Sequence, residues 1–191
     1  MSKVESTMVE LGTVAPAFEL MDAVTGRAVG RDDVATAAGL LVMFVCVHCP
    51  YVKHVEEELA RIGVNYEGKI AIAAISSNDV EAFPQDAPEF MKAQAERLGF
   101  KFPYLLDETQ EVARSYDAAC TPDFFLFDKD LKLVYRGQLD SSRPRRGEFG
   151  NDLPVNGEDL RRAMDEVIRG ETPGVEQRSS IGCNIKWKNI A

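Results

Sequence analysis

The chain has no apolar run approaching the roughly 18 residues that span a bilayer. Its longest, GLLVMFVCV from Gly39 to Val47, suits a buried strand instead. Basic runs with interleaved aromatics are missing, and the formal charge is −9 with a pI near 4.8, so neither nucleic acid nor an anionic membrane is an expected partner. The opening MSKVESTMVELG lacks the apolar centre of a signal peptide, which leads us to expect a cytoplasmic protein. No repeat or low-complexity block is present, and neither a phosphate-cradling glycine loop nor a flavin fingerprint occurs. No cofactor is therefore expected, and electrons must arrive through thiols. Histidine and tryptophan are scarce, with two of the first and one of the second. That scarcity makes their positions informative.

Both histidines and two of the four cysteines fall in one stretch, FVCVHCPYVKH, Phe44 to His54. Under reducing conditions a C-x-x-C is catalytic or metal-binding more often than structural. At 191 residues and 45% hydrophobic, the chain fits one well-buried domain. We expect it over residues 10–170, with a C-terminal tail, 171–191, packed on it and irregular.

The expected elements alternate. Leu40 to Cys46 is a central strand, and Pro50 suits the first position of a helix, where its missing N–H costs nothing. Val52, Val55, Leu59 and Ile62 then form that helix's buried stripe. KIAIAAISS is the next strand, Pro88 to Leu98 a helix, and Phe102 to Leu106 a short extended piece. Asp107 with Gln110 resembles a capping pair for the helix in ETQEVARSY. DFFLFDKDLKLVYRG is a hairpin, Ser141 to Gly157 a Pro/Gly-rich loop, and the last helix buries Leu160, Met164, Val167 and Ile168. This order predicts an α/β fold with a mixed central sheet and helices on both faces.

With Pro50 at the first helical position, Cys49 is the N-cap. Unpaired N–H groups and the helix dipole favour an anion there, so Cys49 is the expected thiolate and Cys46 its nearest partner. The alternative for both is service as small buried hydrophobes.

GTVAPAFEL, CPYVKH and the later CTPDFFLFD together resemble the thioredoxin-fold redoxins of the alkyl hydroperoxide reductase/thiol-specific antioxidant group, in particular peroxiredoxin-like members with a C-x-x-C. SRP, Ser142 to Pro144, and IGCNIKW near the end resemble the same subgroup. The resemblance implies a thioredoxin-like fold and a thiol-dependent oxidoreductase, with antioxidant or disulfide-exchange activity. Cys49 would attack, Cys46 would resolve, and a thioredoxin-type protein or a small thiol would re-reduce the pair. The substrate would be a peroxide or a disulfide, and an oligomer is compatible with the group. Cys46 stands where a peroxiredoxin has a hydroxyl residue that orients the peroxide, and Val42 where it has a proline. The peroxide-binding triad is thus incomplete.

The resemblance also implies that Thr121-Pro122 is a cis-proline element facing the active-site cysteine. Cys120 beside it either resolves a Cys49 intermediate or packs. Cys183 sits in the tail, where some peroxiredoxins carry a resolving cysteine, and is equally open to a packing role with Trp187. His48 either supports the thiolate, shuttles its proton, or merely fills space. Arg136 and Arg143 are candidates for the cation that peroxiredoxins keep beside the thiolate. A different function, a non-enzymatic metal-binding or redox-sensing module, would use Cys46, His48 and Cys49. Their spacing matches no familiar structural-zinc pattern, so no metal site is expected.

Overall fold

The computed structural model describes residues 3–34, 38–145 and 150–189. Along the chain the strands are β1 (Lys3–Glu5), β2 (Glu19–Asp22), β3 (Ala28–Gly30), β4 (Gly39–Phe44), β5 (Ala71–Ser76), β6 (Tyr104–Leu106), β7 (Cys120–Thr121), β8 (Asp123–Asp128), β9 (Leu133–Gly137) and β10 (Ile181–Asn184). The helices are α1 (Arg31–Val34), α2 (Pro50–Asn65), α3 (Pro88–Leu98), α4 (Glu111–Ser115) and α5 (Glu158–Ile168). No described helix is long and apolar enough to cross a membrane.

The apolar run of β4 is buried on both faces because it lies inside a seven-stranded sheet ordered β3-β2-β6-β5-β4-β8-β9. It runs parallel to β5, with Leu41 beside Ile72, and antiparallel to β8, with Met43 beside Phe124. Its side chains alternate between two cores. Leu41 and Met43 meet the buried stripes of α2, α3 and α5, whereas Leu40, Val42 and Phe44 meet Tyr116, Phe125 and Ala113 of α4. Helices on both faces of a mixed sheet are what the residue pattern predicts.

Boundaries moved where a hydrogen-bonding ladder ended sooner than apolar character. Val45 and Cys46 lie beyond β4, and Phe102 lies before β6. Ile168 is 38% exposed because the last turn of α5 carries it past the sheet, and Ala163 is buried in the stripe instead. The expected Asp107/Gln110 box does not form as a reciprocal pair. Asp107 alone reaches the helix, accepting from the Ala113 N–H at 2.8 Å. Gln110 instead donates to the carbonyls of Ser77 and Lys186.

The largest correction concerns the ends of the chain. The tail expected to be irregular contains β10, which pairs with β7 on one side and β1 on the other in a second, three-stranded antiparallel sheet. Such pairings join residues far apart in the chain, Cys183 with Thr121 and with Lys3, and no local periodicity announces them. Ile185 is buried and Trp187 packs beside it, with the Arg114 guanidinium 4.5 Å over the indole. Residues 146–149 of the expected 141–157 loop lie outside the described residues.

Candidate active site

Four segments meet where β4 hands over to α2. Cys49 caps α2 in extended conformation with Pro50 at the first helical position, as its sequence requires. It is fully buried, as are Cys46 and Cys120, and Cys183 is 5% exposed. All four are thiols.

The Thr121-Pro122 peptide bond is cis. It presents the Thr121 carbonyl 3.2 Å from Cys49 Sγ and the Thr121 hydroxyl 3.4 Å from Cys46 Sγ. From β10, Cys183 Sγ approaches Cys49 Sγ at 2.9 Å.

Burial by itself disfavours a thiolate at Cys49. The thiols of Cys183 and Cys46, the Thr121 side chain and the Val52 N–H in the first turn of α2 outweigh it and hold the Cys49 pKa well below the ordinary thiol value. Cys46 and Cys183 move the opposite way, pushed up chiefly by sharing their protons with Cys49 and then by burial. One thiolate is thus stabilised by two thiols. Absorbance near 240 nm should show a thiolate persisting at about pH 6, where an ordinary cysteine is protonated. Cys49→Ser should abolish that signal, and Cys46→Ser and Cys183→Ser should each move it to higher pH. A thiol that ionises only above about pH 8 would mean that burial outweighs its donors.

His48 does not bond to Cys49. Its Nδ1 donates to Asp86 Oδ2 at 2.5 Å, and its ring stacks on Phe83. Asp86, completely buried in a short 3₁₀ turn, also accepts the backbone N–H groups of Val47 and His48 through Oδ1 and the Asn78 amide through Oδ2. One carboxylate therefore fixes the backbone between the two cysteines. Asp86 and Asn78 escaped sequence reasoning because no motif marks them; a lone aspartate between two prolines looks like loop. The donor atoms of Cys46, His48 and Asp86 lie within 4.8 Å of one another, but both Asp86 oxygens already accept hydrogen bonds.

The remaining candidates separate. Cys120 bonds the Pro122 carbonyl at 3.6 Å instead of Cys49, since neighbours on a strand face opposite ways and Thr121 takes the site-facing position. Arg136 donates to the Val9 carbonyl and to Gln177, and Arg143 to Gln138 and to the carbonyls of Asp140 and Ser142. Neither guanidinium makes a hydrogen bond to Cys49. His54 meets Ser142 at 3.1 Å, away from both sulfurs.

Residues 11–136 match the model of the AhpC/TSA family. The chain belongs to the AhpC/TSA family. This redoxin is similar to an uncharacterized conserved protein from Geobacillus kaustophilus, at 53% identity and TM-score 0.95 over 100% of this chain and 99% of that one. It is also similar to a hypothetical protein from Sinorhizobium meliloti, at 44% identity and TM-score 0.92 over 97% and 99%. The thioredoxin domain of a thiol-disulfide oxidoreductase from Bacteroides vulgatus shares 23% identity and a TM-score of 0.56, covering 67% of this chain and 88% of that one. No curated protein sequence matches. The expected thioredoxin-like fold, with its mixed central sheet, is therefore the fold of this redoxin.

Asp123 follows the cis-proline and is completely buried, with one oxygen lacking any hydrogen bond. Burial pushes its carboxyl up to about 8. An unfolded aspartate ionises near 3.9, so the folded chain keeps a proton that the unfolded chain gives up. This contribution is complete below about pH 4 and is lost as pH rises through about 8. Asp123→Asn should flatten stability against pH across that window, read from urea midpoints at about pH 5 and 8.

Proposed function

We propose that this redoxin is a thiol oxidoreductase favouring disulfide exchange, with Cys49 attacking and Cys46 resolving. The observation that carries the reading is a buried, helix-capping Cys49 whose sulfur lies 2.9 Å from Cys183 Sγ and 3.2 Å from the Thr121 carbonyl, with Cys46 three residues before it in the chain. The thiolate attacks one sulfur of a substrate disulfide and expels the other as thiolate. A neighbouring thiol then attacks Cys49 Sγ and releases the second half. A thioredoxin-type protein or a small thiol returns the electrons. The Bacteroides vulgatus neighbour, a thiol-disulfide oxidoreductase by name, is in keeping with this chemistry.

Peroxide reduction asks for more. The site must orient the peroxide and stabilise charge as the O–O bond breaks. Cys46 offers a weak S–H donor where a hydroxyl is wanted. Both candidate arginines bond elsewhere. The Thr121 hydroxyl can donate a hydrogen bond at this corner, and it lies 3.4 Å from Cys46 Sγ.

Second-order rates for hydrogen peroxide and for bis(2-hydroxyethyl) disulfide, measured on reduced protein at one pH, decide the matter. The peroxide rate should not exceed the disulfide rate. A peroxide rate ~100-fold higher would make this a peroxidase, with Thr121 as the donor to mutate first.

The metal-binding alternative draws on the proximity of Cys46, His48 and Asp86. A cation there must take a carboxylate from four hydrogen-bond donors, which disfavours it against the redox reading. Metal content of purified protein tests it.

A further inference from the structure

The C-terminal strand carries a third sulfur to the nucleophile, and its seat is built for the purpose. β10 pairs with β7 so that Cys183 lies opposite Thr121. A Cβ on Gly182 would sit 2.1 Å from the Thr121 carbonyl oxygen and 2.6 Å from its carbon. Only glycine lets the strand come this close, and that approach sets Cys183 Sγ 2.9 Å from Cys49 Sγ. A disulfide needs about 2.05 Å, so a movement of about an ångström joins them.

The strand is held on either side of this sulfur. Before it, the Ser180 hydroxyl donates to the Pro122 carbonyl at 2.7 Å, and the Ser180 N–H donates to Ser6 at 2.8 Å. After it, the Lys186 N–H donates to Asn78, which also grips Asp86. Gln110 clasps the Lys186 carbonyl and the Lys188 N–H. Asn78 and Gln110 thereby tie the tail to the same framework that fixes the Cys46–Cys49 corner.

We propose that Cys183 is a second resolving thiol, and that the Cys49–Cys183 disulfide fastens the C-terminal strand across the nucleophile until Cys46 displaces it. This rests on Cys49 being the attacking thiolate. Cys49 attacks an organic disulfide, RS–SR, forming Cys49–SR and releasing RS⁻. Cys183 attacks Cys49 Sγ, its proton leaving with the second RS group as RSH. The proton lost when Cys49 ionised completes the other RSH. The substrate thus gains two electrons and two protons, and the dithiol loses them. Cys46 then attacks Cys49 Sγ and Cys183 leaves as thiolate, taking up the Cys46 proton. The bond moves to Cys46–Cys49 with no net oxidation, and the strand is again held by hydrogen bonds alone.

The Cys46 bond closes a local turn, whereas the Cys183 bond ties residues 134 apart. The two disulfides therefore differ in what they immobilise.

The test uses full-length reduced Cys46→Ser with one equivalent of bis(2-hydroxyethyl) disulfide, quenched with iodoacetamide and digested with trypsin. The expected product, in more than about half of the molecules, links the peptide Asp32–Lys53 to Ser179–Lys186. Adding Gly182→Ala should slow that link about tenfold or more, because the added methyl group drives β10 off Thr121. Wild-type protein, sampled over time, should show the Cys49–Cys183 link before the Cys46–Cys49 disulfide replaces it. Hydroxyethylthiol retained on Cys49 with Cys183 alkylated would overturn the proposal and leave Cys49 as the nucleophile. Reagent on any other cysteine, with Cys49 alkylated, would overturn the reading of Cys49 and this proposal with it.

Discussion

Cys49→Ser is expected to lower the rate of reaction with bis(2-hydroxyethyl) disulfide by about 10³-fold or more at neutral pH. The reacting species is a thiolate, and a serine hydroxyl at the same helix cap is not ionised in this range. Geometry cannot compensate, since Pro50 and the α2 stripe place the serine where the cysteine was. The contrast with Cys46→Ser makes the measurement specific. That variant retains a nucleophile and still forms a mixed disulfide, yet its turnover with a thiol donor should fall about tenfold, because one of two resolving thiols is gone. Single-turnover and steady-state rates on both variants check this. If Cys46→Ser abolishes the first step and Cys49→Ser retains it, the two roles are reversed.

Asp86→Ala should cost about 3–5 kcal/mol of stability, the largest effect anticipated outside the apolar core. The carboxylate is completely buried and accepts four donors: the N–H groups of Val47 and His48, the His48 ring and the Asn78 amide. Removing it leaves buried donors without partners, and that desolvation penalty is the main loss. At roughly 2–4 °C per kcal/mol for a chain of this size, Tm should drop by about 10 °C. Asp86→Asn should fall between, since an amide oxygen can still accept from Val47 and His48 while its NH₂ opposes the remaining donors. Scanning calorimetry of the three proteins decides it. A loss under about 1 kcal/mol for Asp86→Ala would mean that water replaces the carboxylate. Thiolate absorbance on the same variants separates the two consequences, because a loosened Val47–His48 backbone should also raise the Cys49 pKa.

Local rules account for a definite part of this protein. The run from Gly39 to Phe44 could bury six consecutive positions only as an interior strand. Pro50 and the three-and-four spacing of Val52, Val55, Leu59 and Ile62 located the next helix to its first residue. Those two elements together made Cys49 a helix cap, where unpaired N–H groups and the helix dipole favour a thiolate. Cys49 was therefore legible as the candidate nucleophile from the stretch Leu40 to Ile62. Family resemblance supplied Thr121-Pro122, which no propensity would single out.

What surrounds Cys49 was decided by tertiary structure alone. Asp86 reaches His48 across 38 positions, the Thr121 carbonyl reaches Cys49 across 72, and Cys183 across 134. Contacts at such separations depend on how the sheets close, which periodicity does not encode. The same holds for candidates that the fold sent elsewhere. Arg136 sits on β9 with its guanidinium turned to Val9 and Gln177, and Cys120 alternates away from Thr121. Local sequence could single out Cys49 because the helix start that it caps is written in the residues beside it. Its partners come from strands and turns distant in the chain, and only the folded structure brings them within reach.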